Sequence, residues 1–238
     1  TLSAADGSMD TQQISIFGKP VWSEQTLIVN GREIPATQNG WQLLHTNASL
    51  PMTLSSSMPW QIGFINIERP GRGVTVSAMG INGAQLSQWS KWRPGMWEDL
   101  AQTKADLIIL AYGTNEAFSG NLDISSTERT WRNYIRQIKN TLPNAGILIL
   151  GAPESLKTAY GSCGNRPVLL SEVQQMQQRI ARDEKIMFWS WQDAMGGACS
   201  MKNWMAQGLA AKDGVHFSAQ GYETAADKLA DSLIRFAQ

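Results

Sequence analysis

What the sequence lacks narrows its function first. Its 20 Lys+Arg are matched by 20 Asp+Glu, and only 17% of its 238 residues are charged. There is therefore no basic surplus to neutralise phosphates and no Lys/Arg block to form a polybasic membrane patch, which excludes nucleic acid as a partner. No run of about 18 apolar residues is present, so nothing reads as a bilayer-spanning helix. Cysteine is scarce: Cys163 and Cys199 are the only two. Neither has metal-ligand spacing, and from sequence they suggest one disulfide, with a pair of free thiols nearly as open a reading. The start, Thr1-Leu2-Ser3-Ala4, has no initiator Met and no apolar signal segment, so the chain reads as a mature product or as part of a longer one. Internal repeats and low-complexity tracts are also missing. What is present is an ordinary core-forming apolar fraction, 42%, and ten Trp. Trp serves both in cores and as a stacking surface for sugar rings.

Two periodicities divide the chain. From Gln13 to Glu68 short β-prone runs alternate with turn residues, among them 14–17, 26–29, 41–44, 52–54 and 62–67. The pair Asn30-Gly31 between Val29 and Glu33-Ile34 predicts a two-residue hairpin, because both turn positions need positive φ. The breaker-rich Arg69-Pro70-Gly71-Arg72-Gly73 then marks a boundary, giving a β-rich module at 1–73 and an α/β domain at 74–238. In the second part continuous apolar runs at 74–79, 106–112, 146–151 and 186–191 predict strands. The second of these has no polar alternation and is expected to be buried on both faces. Helical patterns lie between them at 85–103, 127–141 and 168–184. A last helix, 219–236, repeats Tyr222, Ala225, Ala226, Leu229, Leu233 and Phe236 at helical spacing, with Ser218 as its N-cap. Alternating strands and helices predict a parallel sheet covered on both sides.

Ligands in such sheets bind at the carboxyl ends of strands, so the residues after each strand carry the functional argument. After 74–79 comes Gly80-Ile81-Asn82-Gly83, a small-residue turn whose backbone N–H groups can approach a substrate oxygen, although glycine turns are common there for structural reasons. After 106–112 comes Gly113-Thr114-Asn115-Glu116, where the Asn115 amide either organises the turn or donates to a developing oxyanion. Before the last helix stands Asp213-Gly214-Val215-His216. An Asp three residues ahead of a His can accept from the ring Nδ1–H in one turn, fixing the tautomer and stabilising the imidazolium. His45, in the β module, has no acidic partner in register and reads as structural. Trp22, Trp41 and Trp60 are the candidates for sugar stacking, with core packing as the alternative, and Trp189 and Trp191 alternate along an expected strand.

Taken in order, these three motifs resemble blocks II, III and V of the SGNH (GDSL-like) hydrolases, over residues 74–238. The resemblance implies a flavodoxin-like three-layer α/β fold and serine-esterase chemistry without metal or organic cofactor. It assigns the oxyanion hole to Gly83 and Asn115, the orienting carboxylate to Asp213 and the general base and acid to His216. The β-rich module ahead of block II, and the tryptophans of Gln88-Trp89-Ser90-Lys91-Trp92, are similar to Gram-negative peptidoglycan O-acetylesterases, which carry a carbohydrate-binding-like module between blocks I and II. That implies an acetylated glycan substrate and a periplasmic or cell-envelope location.

One block is not found. The Gly-Asp-Ser-Leu element that supplies the family's serine has only two partial counterparts. Asp6-Gly7-Ser8-Met9 has the letters out of order and no strand before it, and Asp231-Ser232-Leu233 lies inside the last helix. The first strand of a 2-1-3-4-5 sheet is central, and leaving it out strands the backbone groups of its neighbours. The expectation is therefore a complementing N-terminal segment that brings the central strand and the nucleophile. The alternatives are a non-catalytic carbohydrate-binding pseudo-enzyme and a lipase or thioesterase of the same family.

Overall fold

A computed structural model describes residues 1–22, 25–92 and 94–236. The chain clusters into two units, Thr1–Met79 and Gly80–Gln238. The first holds two three-stranded antiparallel sheets. In one, β1 (Thr11–Pro20) lies between β4 (Gln42–Ser49) and β6 (Trp60–Glu68). In the other, β2 (Thr26–Val29) lies between β3 (Arg32–Pro35) and β5 (Leu54–Ser55). The Asn-Gly turn forms as expected: Asn30 and Gly31 have φ of 47° and 79° and join β2 to β3. Alternate residues of the strands, Ile14, Ile16, Leu27, Val29 and Leu44, point inward and bury with Met52. Trp41 stacks on Phe17 with ring centroids 5.0 Å apart, while Trp22 is 55% exposed. His45 Nδ1 pairs with the Ser15 hydroxyl across β1 and β4, 3.0 Å away, the structural role expected of it.

The second unit is built on three parallel strands in the order β7 (Leu107–Leu110), β8 (Gly146–Gly151) and β9 (Met187–Ser190). Around them run α1 (Met96–Gln102), α2 (Thr114–Phe118), α3 (Ile124–Thr141), α4 (Leu170–Glu184), α5 (Trp191–Met195), α6 (Met201–Ala206) and α7 (Ala219–Phe236). The strand β8 shows why helices cover this sheet. Its residues Ile147 and Ile149 join the core formed with Trp131, Ile135 and Ile138 of α3 and Val173, Met176 and Ile180 of α4. Its other residues, Leu148 and Leu150, join Trp189 and, from α7, Leu229 and Leu233. The i, i+3, i+4 spacing of apolar residues on α3 and α4 produces the faces that bury here. Ser218 caps α7 through its hydroxyl, which accepts from the Gly221 N–H at 3.1 Å.

Several expected elements differ. Residues 74–79 form no strand, and every residue from 69 to 83 is exposed, Val74 by 91% and Val76 by 86%. A strand exists only where a ladder partner satisfies its backbone, and none pairs with this segment among the described residues. The run 106–112 shortens to β7, which pairs with β8 on one side. Its Ile109 is 43% exposed, so β7 is an edge strand and not the doubly buried one expected. The expected helix 85–103 breaks into a 3-10 turn over Leu86–Lys91 and α1, and Arg93 within it lies outside the described residues. Trp191 begins α5 where the strand 186–191 was expected to continue.

Candidate active site

Parallel pairing places the carboxyl ends of β7, β8 and β9 on one edge of the sheet. The chain leaves β7 through Gly113, whose φ of 121° is open to glycine. A Cβ there would lie 2.8 Å from Gln177 Nε2 and 2.9 Å from Ala152 Cβ. The buried Gln177 explains this closeness. It donates to the Tyr112 carbonyl at 2.7 Å and accepts from the Ala152 N–H at 2.8 Å, clamping the ends of β7 and β8 together.

Asn115 and the turn at Gly83 are brought together. The turn closes through the Ala84 N–H, which donates to the Ile81 carbonyl at 3.1 Å, and Gly83 sits in it with φ of 75°. The Asn115 Nδ2 donates to the Ala84 carbonyl at 2.9 Å, and Gln85 Nε2 donates to the Asn115 carbonyl at 3.3 Å. Glu116, 1% exposed, accepts from the Leu86 N–H with Oε1 and from the Gly113 N–H with Oε2, both at 2.9 Å. Burial pushes the Glu116 carboxyl above the usual range, against the pull of those N–H groups. An open space surrounds Gly83, where an added Cβ would meet nothing within 4 Å.

Asp213 and His216 form the second group. Asp213 Oδ2 lies 2.8 Å from His216 Nδ1, and Oδ1 accepts from the Val215 and His216 N–H groups at 2.8 and 3.0 Å. Burial works to raise the Asp213 pKa, but the His216 backbone N–H, the imidazole and the Val215 N–H outweigh it and hold the group at about 2. Both side chains reach solvent, His216 with 71% and Asp213 with 49% of the side chain exposed. The turn is anchored from beneath. Gly214, φ 71°, lies against Leu156, and its carbonyl accepts from the Leu156 N–H at 2.8 Å. Leu156 follows β8 by five residues and is buried with Trp204 and Phe217. A second buried carboxylate, Glu154, sits two residues earlier. It pairs with Arg166 at 2.7 Å and accepts from Gln192 and from the Cys199 N–H. Cys163 and Cys199 form a disulfide, which settles the alternative left open by the sequence.

Neither partial serine motif approaches this site through a hydrogen bond. Ser8 closes a turn with Asp6, and Ser232 bonds within α7 and to Trp189. Among the described residues no serine hydroxyl bonds to His216. Sequence reasoning quoted Glu116 without giving it a role, and it missed Gln177 and Glu154 altogether. Gln177 bonds to residues 25 and 65 positions away, and Glu116 and Glu154 each reach 30 or more positions away beside a nearer partner, so local spacing does not announce these contacts.

Fold and site together define an α/β protein with its polar machinery on the carboxyl edge of a parallel sheet. The chain belongs to the GDSL-like lipase/acylhydrolase family, whose pattern matches residues 59–224, and is thereby an ester-hydrolase-class enzyme. A solved peptidoglycan O-acetylesterase is 63% identical with a TM-score of 0.93, the match covering 98% of this chain and 67% of that one. An acetyl xylan esterase, 16% identical with a TM-score of 0.51, covers 64% of this chain and 78% of its own. A Bacillus subtilis protein, 12% identical with a TM-score of 0.52, covers 97% and 79%. These last two share the fold. A search of curated proteins finds no match. No helix among the described residues is long and apolar enough to cross a membrane.

Proposed function

We propose that this chain forms the greater part of a serine esterase that removes acetyl groups from O-acetylated peptidoglycan. The observation that carries the chemistry is the 2.8 Å contact between Asp213 and His216 Nδ1, which leaves Nε2 of the same ring available as a base. The substrate rests on the 63% identity to a peptidoglycan O-acetylesterase. The nucleophile is a serine on a strand outside residues 1–238 that pairs with the open edge of β7. Two features support that strand: among the described residues β7 bonds to β8 alone, and Ile109 on it is 43% exposed. The same added strand offers a ladder to the exposed apolar run at 74–79 and completes a flavodoxin-like, three-layer sheet. The disulfide supports an oxidising, cell-envelope location.

In this reading the serine Oγ bonds to the acetyl carbonyl carbon while its proton passes to His216 Nε2. The carbonyl electron pair moves onto oxygen, where the Gly83 N–H and the Asn115 amide stabilise it. Collapse expels the sugar oxygen, which takes the proton from Nε2, and leaves an acetyl-enzyme. Water repeats the sequence and releases acetate, restoring the serine. Asp213 stays ionised throughout and orients the ring.

The test is acetate release from O-acetylated peptidoglycan, with hydrolysis of p-nitrophenyl acetate beside it, by the natural protein and its His216→Ala variant. Loss of at least about 10³-fold in the variant is expected. Activity unaffected by the change removes the triad assignment, and glycan binding without acetate release leaves the carbohydrate-binding reading in its place.

A further inference from the structure

Glu116 is a fully buried carboxylate that no step above uses. At the third position of α2 it accepts from the Gly113 N–H, as an acidic residue closing the first turn of a helix does. That capping role occupies one oxygen. The other reaches a backbone N–H thirty positions earlier in the chain, that of Leu86, three residues after Gly83. Among the described residues no lysine or arginine pairs with it, so its charge is held by backbone dipoles. A buried carboxylate is costly to desolvate, and helix capping alone is achieved by Ser, Thr or Asp at the surface at much lower cost. The second contact distinguishes Glu116 from a cap: it ties the start of the 3-10 turn, three residues after Gly83, to the turn that carries Asn115.

We propose that Glu116 is a positioning residue that fixes the separation between the Gly83 N–H and the Asn115 amide, a role that rests on the esterase reading. Two carboxylate oxygens, one to each turn, make a rigid clamp that a single-acceptor side chain cannot reproduce. Glutamine keeps one oxygen but turns an NH₂ toward the other N–H, so one turn loses its anchor and gains a repulsive contact. The Asn115–Ala84 and Gln85–Asn115 hydrogen bonds lie alongside and close the same seam. Misplacing a catalytic donor by about 1 Å costs on the order of 10²-fold in rate.

The test measures p-nitrophenyl acetate hydrolysis by the natural protein with Glu116→Gln, Asn115→Ala and both together. The single Glu116→Gln change is expected to lower kcat about 10- to 100-fold with KM nearly unchanged. In the Asn115→Ala background the same change is expected to cost less than it does alone, because one of the two donors whose separation it fixes is already gone. Amide hydrogen exchange is expected to speed up at Leu86 and Gly113. Should Glu116→Gln fail to fold, Glu116→Asp keeps the charge, is too short for both N–H groups, and is expected to lower kcat in the same way. An unchanged kcat in the folded variant, or an equal loss with Asn115 already removed, overturns the clamp and leaves the esterase reading standing. An inactive natural protein, or one indifferent to His216→Ala, overturns that reading and the clamp with it.

Discussion

His216 and Asp213 lie three residues apart, so one turn carries both the base and the group that orients it. Such economy has a consequence for pH. The Asp213 carboxyl, held at about 2 by the N–H groups and the imidazole around it, is ionised wherever a neutral histidine can act as a base. Protonation of Asp213 therefore does not set the acid limb of activity. For stability the direction follows from the lowered value. The folded carboxylate is favoured above its ordinary pKa of about 3.9, and that advantage disappears as pH falls through about 2. Thermal melting of the natural protein and Asp213→Asn is expected to differ by a constant amount above about pH 5, and the two curves are expected to converge towards pH 2. Curves that stay apart at pH 2 would show that Asp213 contributes through something other than its charge. Glu116 runs the opposite way. Burial raises its pKa, so ionising it costs the fold stability as the pH rises.

At the scale of elements, the disulfide shows how a loop is made rigid. The segment after β8 is held by the Thr158–Asn165 bridge, by Lys202 Nζ donating to the Gly161 carbonyl at 2.6 Å, and by Cys163–Cys199. The cross-link spans 36 positions, so removing it by Cys163→Ser with Cys199→Ser is expected to lower stability by ~2–4 kcal/mol. Denaturant unfolding measures this. A loss near zero would mean that Glu154, which accepts from the Cys199 N–H, already holds the loop. What could be read in the sequence follows from what is local. The hairpin at 26–35 was legible because Asn30-Gly31 fixes its own φ values, and α7 was legible because apolar spacing and the Ser218 cap lie within it. The strand expected at 74–79 was not, because β-structure needs a partner that the segment itself does not encode. Burial of β7 failed for the same reason: Leu107-Ile108-Ile109-Leu110 suits a central strand, but whether both edges are paired is a property of the sheet. The Asp213–His216 contact was legible as a three-residue turn. Glu116, Gln177 and Glu154 were not, since the contacts that set them apart reach residues 25 to 65 positions away.

For the molecule as a whole, the two units have separate cores. Ile14, Ile16, Leu27 and Met52 bury among residues before Met79, whereas the clusters around Trp131, Trp204 and Leu150 draw only on residues after Gly80. Between them every residue from 69 to 83 is exposed. Exposed backbone without a ladder is where proteases cut first. Arg69 is followed by Pro70, which blocks trypsin, so the first cut is expected at Arg72–Gly73. Each product keeps its own core and is expected to retain its secondary structure by circular dichroism. The same cut also reports on the proposed added strand. Val74 and Val76 show apolar side chains to solvent to a degree that monomeric proteins rarely tolerate in a continuous run. If a strand carrying the nucleophile pairs along 74–79, trypsin is expected to cut at Arg72 at least about tenfold more slowly in its presence, since the open population falls with each ladder bond formed. Limited proteolysis read by mass spectrometry, with and without the upstream segment, distinguishes the cases. Equal rates would place the added strand elsewhere and leave the apolar run at 74–79 without an occupant.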